Sequence, residues 1–220
     1  MEENNLPAVP DFAVILTGGE CDTAKVLERN LIPQNTLIIA ADSGYLKAKP
    51  LGLVPHVLVG DFDSIPAEEM PVKTDDGPEI ITAPCEKDET DTMLACNIAI
   101  ERGCREILIA GGFGGRCDHE LSNIFWLENL LDRGVRAAMT DGKGYIRIIR
   151  NETAEVARHE GYFSVFALES CVVSLSGCKY PLDRAALTRS LPYAVSNEVT
   201  AERARIEIEG TALLCDVYPD

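Results

Sequence analysis

Hydrophobic positions fall into two textures along the chain. Through the first two-thirds, short continuous apolar runs recur at Ala13–Thr17, Thr36–Ala40, His56–Val59, Glu79–Thr82, Ile107–Ala110 and Arg136–Thr140. Runs of four or five residues without alternation suit strands covered on both faces. Two longer stretches between them have helical spacing. Thr90–Arg102 carries Met93, Leu94, Ile98 and Ile100 and stops at Gly103. His119–Arg133 carries Leu121, Ile124, Leu127 and Leu131 and stops at Gly134. A glycine just past the last apolar position is a common helix terminator. Strands alternating with helices predict an α/β fold with a doubly wound, mostly parallel sheet.

After Asp141-Gly142-Lys143-Gly144 the helical spacing disappears. Tyr145–Arg150, Ala154–Arg158, Tyr162–Leu168, Cys171–Leu175, Arg203–Glu209 and Ala212–Val217 read as strands. In Arg203–Glu209 the apolar residues Ala204, Ile206 and Ile208 alternate with charged ones, and Glu209-Gly210 looks like a tight hairpin turn. The expectation is a C-terminal antiparallel β-sandwich. The division predicted is 1–143 for an α/β domain and 144–220 for the β domain, each within the usual domain size range.

Charge narrows the function classes. Twenty basic and 36 acidic residues give a formal net charge of −16. A general nucleic-acid or anionic-membrane surface needs basic patches, so neither partner is expected. No apolar run approaches the roughly 20 residues of a membrane span. Met1-Glu2-Glu3-Asn4-Asn5 has neither the basic start nor the apolar stretch of a signal peptide. Eight cysteines are scattered without a C-x-x-C pair, and the three histidines form no ligand motif. A reduced, cytoplasmic protein fits that usage better than a disulfide framework or a zinc site.

The candidate chemistry sits where the apolar runs end. Thr36–Ala40 leads to Ala41-Asp42-Ser43-Gly44, and His56–Val59 to Gly60-Asp61-Phe62-Asp63-Ser64. Glu79–Thr82 leads to Lys87-Asp88-Glu89-Thr90-Asp91 at a helix start. Ile107–Ala110 leads to Gly111-Gly112-Phe113-Gly114-Gly115-Arg116-Cys117-Asp118-His119 at another. In an open α/β sheet this carboxyl rim is where ligands bind. So many carboxylates on one rim either raise their pKa values or share divalent cations, and hard oxygen donors suit Mg²⁺. The glycine loop with Arg116 before a helix N-terminus is equipment for an anion. Each piece has a plainer reading. Asp42 and Asp63 suit side-chain turns. Asp88, Thr90 and Asp118 are possible helix caps. Gly18-Gly19 is as well explained by a strand-to-helix turn as by a phosphate cradle, and Tyr180 by a place in the core or at the rim of the β-sandwich. Asp61 with Asp63 is harder to explain that way, since a turn needs only one. No P-loop and no complete G-x-G-x-x-G fingerprint is present, so a nucleotide would be held by another scheme.

Taken in order, these four motifs resemble the thiamine diphosphokinase (thiamine pyrophosphokinase) family. So do Gly177-Cys178-Lys179-Tyr180-Pro181-Leu182 and Ser196-Asn197-Glu198. Tyr180 stands where that family often has tryptophan. The resemblance implies transfer of diphosphate from ATP to the hydroxyl of thiamine, with Mg²⁺ as cofactor, in a homodimer with active sites between subunits. It implies metal ligation by Asp61, Asp63, Asp88 and Asp91, and catalysis by these four with Arg116. For ATP it implies Thr90, Gly114, Gly115, Arg116, Asp118 and His119. For thiamine it implies Asp42, Tyr180, Ser196 and Asn197, with Asp42 open to a metal role as well. The rival readings are a metal-dependent phosphoesterase, a non-enzymatic nucleotide or vitamin sensor, and a diphosphokinase acting on another heterocyclic alcohol such as a pterin.

Overall fold

The six apolar runs of the first part form strands that pair only in parallel. A computed structural model of the chain describes residues 10–71, 77–84 and 88–219. It divides into two compact units, Met1–Gly142 and Lys143–Asp220. In the first, the strands are β1 (Phe12–Leu16), β2 (Leu37–Ala41), β3 (Val57–Gly60), β4 (Glu79–Thr82), β5 (Glu106–Ala110) and β6 (Arg136–Thr140). Their order is β4-β3-β2-β1-β5-β6, with every neighbouring pair parallel. All of β2 and β3 is buried, which is why these runs show no polar alternation. The chain works outward from β1 to β4, then returns to the other side of β1 as β5. That reversal opens a crevice at the carboxyl ends of β1 and β5, the switch point of doubly wound sheets.

Among the described residues three helices accompany the sheet: α1 (Thr23–Glu28), α2 (Asp91–Glu101) and α3 (Cys117–Asp132). Thr90 is the α2 cap, its hydroxyl accepting from the Met93 amide at 3.2 Å. Arg116 holds the cap position of α3 without a side-chain cap bond, so Asp118 falls inside the first turn rather than capping it. The short α1, capped by Asp22, and a 3₁₀ turn over Asp42–Lys47 lie outside the sequence expectation. Neither is long enough to show helical periodicity. Among the described residues no helix is long and apolar enough to cross a membrane.

The second unit is antiparallel throughout. It comprises β7 (Gly144–Arg150), β8 (Thr153–Ala157), β9 (Tyr162–Ser176), β10 (Leu182–Thr188) and β11 (Arg203–Val217). Phe163, Val165, Val173, Leu175, Ile206 and Leu214 contribute to one continuous core. The expected hairpin at Glu209-Gly210 is absent. β11 runs straight through as one 15-residue strand, and so does β9. Gly210 instead makes a bulge, with φ +107° and a register shift against β9 between Gly210 and Ala212. Its amide donates to Asn151 Oδ1 at 2.7 Å. The bulge lets β11 pair first with β8 and the far half of β9, then with β7 and the near half of β9. A Glu-Gly pair signals a left-handed backbone step, and a bulge uses that step as readily as a turn does.

Candidate active site at the carboxyl rim of the parallel sheet

A crevice of about 560 Å³ opens at the predicted rim. Thr17, Gly18 and Gly19 line it from the end of β1, and Asp42 and Ser43 from the end of β2. Asp61 and Ser64 follow β3, Thr90 and Asp91 open α2, and the loop after β5 supplies Gly111, Gly115 and Arg116. His119, Glu120 and Asn123 face it from α3. The two loops at the switch point meet backbone to backbone at Gly19 and Gly111. A β-carbon on Gly19 would stand 2.2 Å from the Gly111 carbonyl oxygen, so only glycine allows that approach. Thr17 Oγ1 also donates to the Gly111 carbonyl.

Three carboxylates converge. Asp42, Asp61 and Asp63 each bring an oxygen within 4.8 Å of the others. Asp42 Oδ1 is buried and accepts no hydrogen bond. A buried carboxylate oxygen without a donor is costly unless a cation meets it. The Asp63 amide donates to Asp61 Oδ1 at 3.3 Å, and Ser64 Oγ donates to Asp63 Oδ1 at 2.8 Å. The donor set is all oxygen, which fits Mg²⁺ rather than a softer metal. Asp91 lines the same crevice outside this trio; Asp88 belongs to neither set, and Lys87 lies outside the described residues.

The glycine loop is already occupied by an anion from its own helix. Glu120 Oε1 accepts from the Gly114 amide at 3.0 Å and the Gly115 amide at 2.8 Å. Asn123, buried on α3, braces the same loop by donating to the Gly112 carbonyl at 2.8 Å. Arg116 lines the crevice while forking onto Asp118, with Nε to Oδ1 at 3.2 Å and a terminal nitrogen to Oδ2 at 2.6 Å. That hydrogen-bonded pair holds the guanidinium above its ordinary pKa and the carboxyl below its own. Both side chains are exposed. Asp118 itself is not among the lining residues; His119 is.

A half-buried lysine lies behind the β1 loop. Lys47 Nζ donates to the Thr17 carbonyl at 2.6 Å. Burial lowers its pKa, against the pull of the nearby Cys21. Burial also pushes the Cys21 thiol up to about 11, an effect Lys47 partly opposes. Glu120, Asn123 and Lys47 escaped the sequence analysis. Asn123 had a signal: a polar residue four before Leu127 on the inward face of a helix. Glu120 and Lys47 carry none beyond their charge.

The remaining candidates lie in the β unit. Tyr180 is 57% exposed, so the core reading of that side chain is excluded. Asn197 is buried and clamps the tyrosine's backbone: Oδ1 accepts from the Tyr180 amide at 3.0 Å, and Nδ2 donates to the Tyr180 carbonyl at 2.8 Å. Lys179 reaches over the Tyr180 ring at 5.5 Å while paired to Glu198 at 2.6 Å. Ser196 has φ +57°, and its amide donates to Ser164 Oγ.

An α/β unit with an acidic, glycine-lined crevice at its switch point, followed by an antiparallel β unit, defines a class of two-part transferase. Residues 29–139 match the thiamin pyrophosphokinase catalytic domain, and residues 146–214 match the thiamin pyrophosphokinase vitamin B1 binding domain. The chain is 30% identical over 186 residues to the thiamine pyrophosphokinase of Bacillus subtilis, covering 80% of this chain and 87% of that one. Among solved structures, the Bacillus subtilis thiamine pyrophosphokinase superposes with TM-score 0.82 at 25% identity, covering 95% of this chain and all of the other. The thiamin pyrophosphokinase of Candida albicans shares the fold, with TM-score 0.77 at 14% identity and coverage of 96% and 90%. The chain belongs to the thiamine pyrophosphokinase family.

Proposed function

We propose that the protein transfers the terminal diphosphate of ATP to the hydroxyl of thiamine, giving thiamine diphosphate and AMP. One observation carries this reading. In a chain of this family, Asp42 and Asp61, which gather with Asp63, line the same crevice as Gly115 and Arg116. The hydroxyl oxygen attacks the β-phosphorus, the bond from that phosphorus to the α–β bridging oxygen breaks, and AMP leaves. Catalysis of such transfer is mostly positioning and charge neutralisation. The residues that would hold Mg²⁺ are Asp42, Asp61 and Asp63, with Asp91 near the same crevice. Bound there, Mg²⁺ would supply neutralising charge for the phosphate oxygens. Arg116 and the loop amides orient the β- and γ-phosphates, Thr90 donates its free hydroxyl proton to a phosphate oxygen, and His119 faces the nucleotide. A loose transition state needs little more than a carboxylate to take the hydroxyl proton late in the transfer.

Tyr180, held by Asn197, offers an exposed aromatic face to the thiamine cation. The proposal includes a homodimer in which active sites lie between subunits, tested by whether sedimentation gives twice the chain mass. Seven free cysteines among the described residues suit a reducing compartment, and the cytoplasm is the proposed location.

The test is incubation with ATP, Mg²⁺ and a panel of heterocyclic alcohols. The expected result is AMP and thiamine diphosphate in equal amounts, formed only when thiamine is present. Phosphate release without an acceptor would make the protein a hydrolase. Diphosphorylation of a pterin in preference to thiamine would move the substrate.

A further inference from the structure

We propose that Phe62 is a positioning residue of the phosphate-transfer site, its left-handed backbone folding the carboxylates of Asp61 and Asp63 together against Asp42. The inference rests on the metal reading above. Phe62 has φ +65°, and Asp42, across from it, has φ +48°. A bulky aromatic residue rarely adopts such a backbone, and the surrounding contacts must impose it. Those contacts are on both sides of the turn. Upstream, the Gly60 carbonyl accepts from the Ala83 amide at 2.9 Å, fixing the end of β3 to the end of β4. Downstream, the Ile65 amide donates to the Phe62 carbonyl at 3.3 Å, and the Ile65 side chain is buried. Between them, the Asp63 amide reaches back to Asp61 Oδ1.

Gly60 completes the device. Its φ is +149°, and a β-carbon there would stand 3.2 Å from Asp42 Cβ and 3.3 Å from Asp42 Cα. The missing side chain therefore lets the two strand ends close until the three carboxylates meet within 4.8 Å. Glycine at position 62 would take φ +65° without strain, but it would also take many other conformations. An L-residue in the left-handed region has one small well. A phenylalanine forced into that well gives Asp61 and Asp63 one fixed relative direction. Preorganised ligands bind tighter because less freedom is lost on binding.

The experiment compares full-length wild-type protein with Phe62→Gly, Phe62→Ala and Phe62→Tyr. Melting temperature is read without metal, and Mn²⁺ affinity is read by electron paramagnetic resonance. Gly and Ala both remove the ring and differ only in the β-carbon. With a left-handed backbone at position 62, the Gly variant melts above the Ala variant. At an ordinary loop position the order reverses, because glycine adds freedom to the unfolded chain. Mn²⁺ binding is expected to weaken about tenfold in the Gly variant, the range for losing support behind metal ligands. The Tyr variant is expected to match wild type. An Ala variant melting at or above the Gly variant overturns the proposal, and so does wild-type Mn²⁺ affinity in the Gly variant. Wild-type Mn²⁺ binding that ignores Asp61→Asn overturns the metal reading itself, a result the Phe62 variants cannot produce.

Discussion

The carboxylate of Glu120 accepts from the amide of Gly115 at 2.8 Å, and from Gly114 beside it at 3.0 Å. Two amides converging on one oxygen form an anion cradle, and here the anion comes from the same chain. A phosphate using those amides must displace it. Glu120→Ala is therefore expected to lower the KM for ATP severalfold with kcat little changed, since a hydrogen bond to a charged group is worth roughly 1.5–3 kcal/mol before solvent screening. Steady-state kinetics at varied ATP decides. A raised KM would make Glu120 a brace for the loop instead of a competitor.

Asp42→Asn, Asp61→Asn and Asp63→Asn are each expected to cut turnover at saturating Mg²⁺ by at least a hundredfold. Loss of a charge-stabilising ligand set costs several kcal/mol of barrier. Melting temperatures should hold or rise for Asp42→Asn, because its buried oxygen lacks a donor and neutralising it removes a desolvation cost. Near-normal turnover in any of the three removes that residue from the set.

Arg116→Lys keeps the charge but not the fork. A point charge reproduces neither a bidentate phosphate contact nor the two-point pairing with Asp118. The expected outcome is at least a tenfold fall in kcat/KM for ATP with an unchanged melting temperature. Wild-type kcat/KM in the Lys variant would place Arg116 on the surface, outside catalysis.

Tyr180 is more than half exposed, so its removal should leave stability alone. Tyr180→Ala is expected to raise the KM for thiamine while leaving that for ATP unchanged, at a cost of roughly 0.5–1.5 kcal/mol for one aromatic contact. Tyr180→Phe should be mild. Asn197→Ala is expected to raise the thiamine KM and also lower the melting temperature, because that amide is buried and holds the tyrosine's backbone. Thiamine KM values that ignore both changes would separate this loop from the substrate.

Only a thiolate alkylates readily, and burial pushes the Cys21 thiol up to about 11. At pH 8, iodoacetamide should label the exposed Cys117 well before Cys21. Raising the pH toward 11 should bring Cys21 into reaction. Peptide mass spectrometry reads both. Cys21 labelling at pH 8 in parallel with Cys117 would contradict the burial.

The parallel sheet was legible because buried strands leave continuous apolar runs, and each of the six matches its strand to within about one residue, the usual uncertainty of element ends. The rim was legible because the carboxylates follow those runs directly. Lys47, Glu120 and Asn123 were not, for a common reason. Each acts through a backbone atom: Lys47 on Thr17, Glu120 on Gly114 and Gly115, Asn123 on Gly112. Backbone acceptors and donors have no residue type, so no motif records them. The misread at Gly210 has the opposite origin. There the residue type was informative, but two backbone geometries share the same signal.

The close approach of Gly19 to Gly111 also bears on biosynthesis. One wall of the crevice is laid down with β1 and the facing wall with the loop after β5, so the bonds from Thr17 to Gly111 span 94 positions of sequence. A growing chain that has not yet delivered Gly111 carries all three clustered aspartates with nothing opposite them. On the proposed function, nucleotide capture would wait until the parallel sheet has added its late strand, and a chain truncated before that point is expected to gain no protection from ATP against protease.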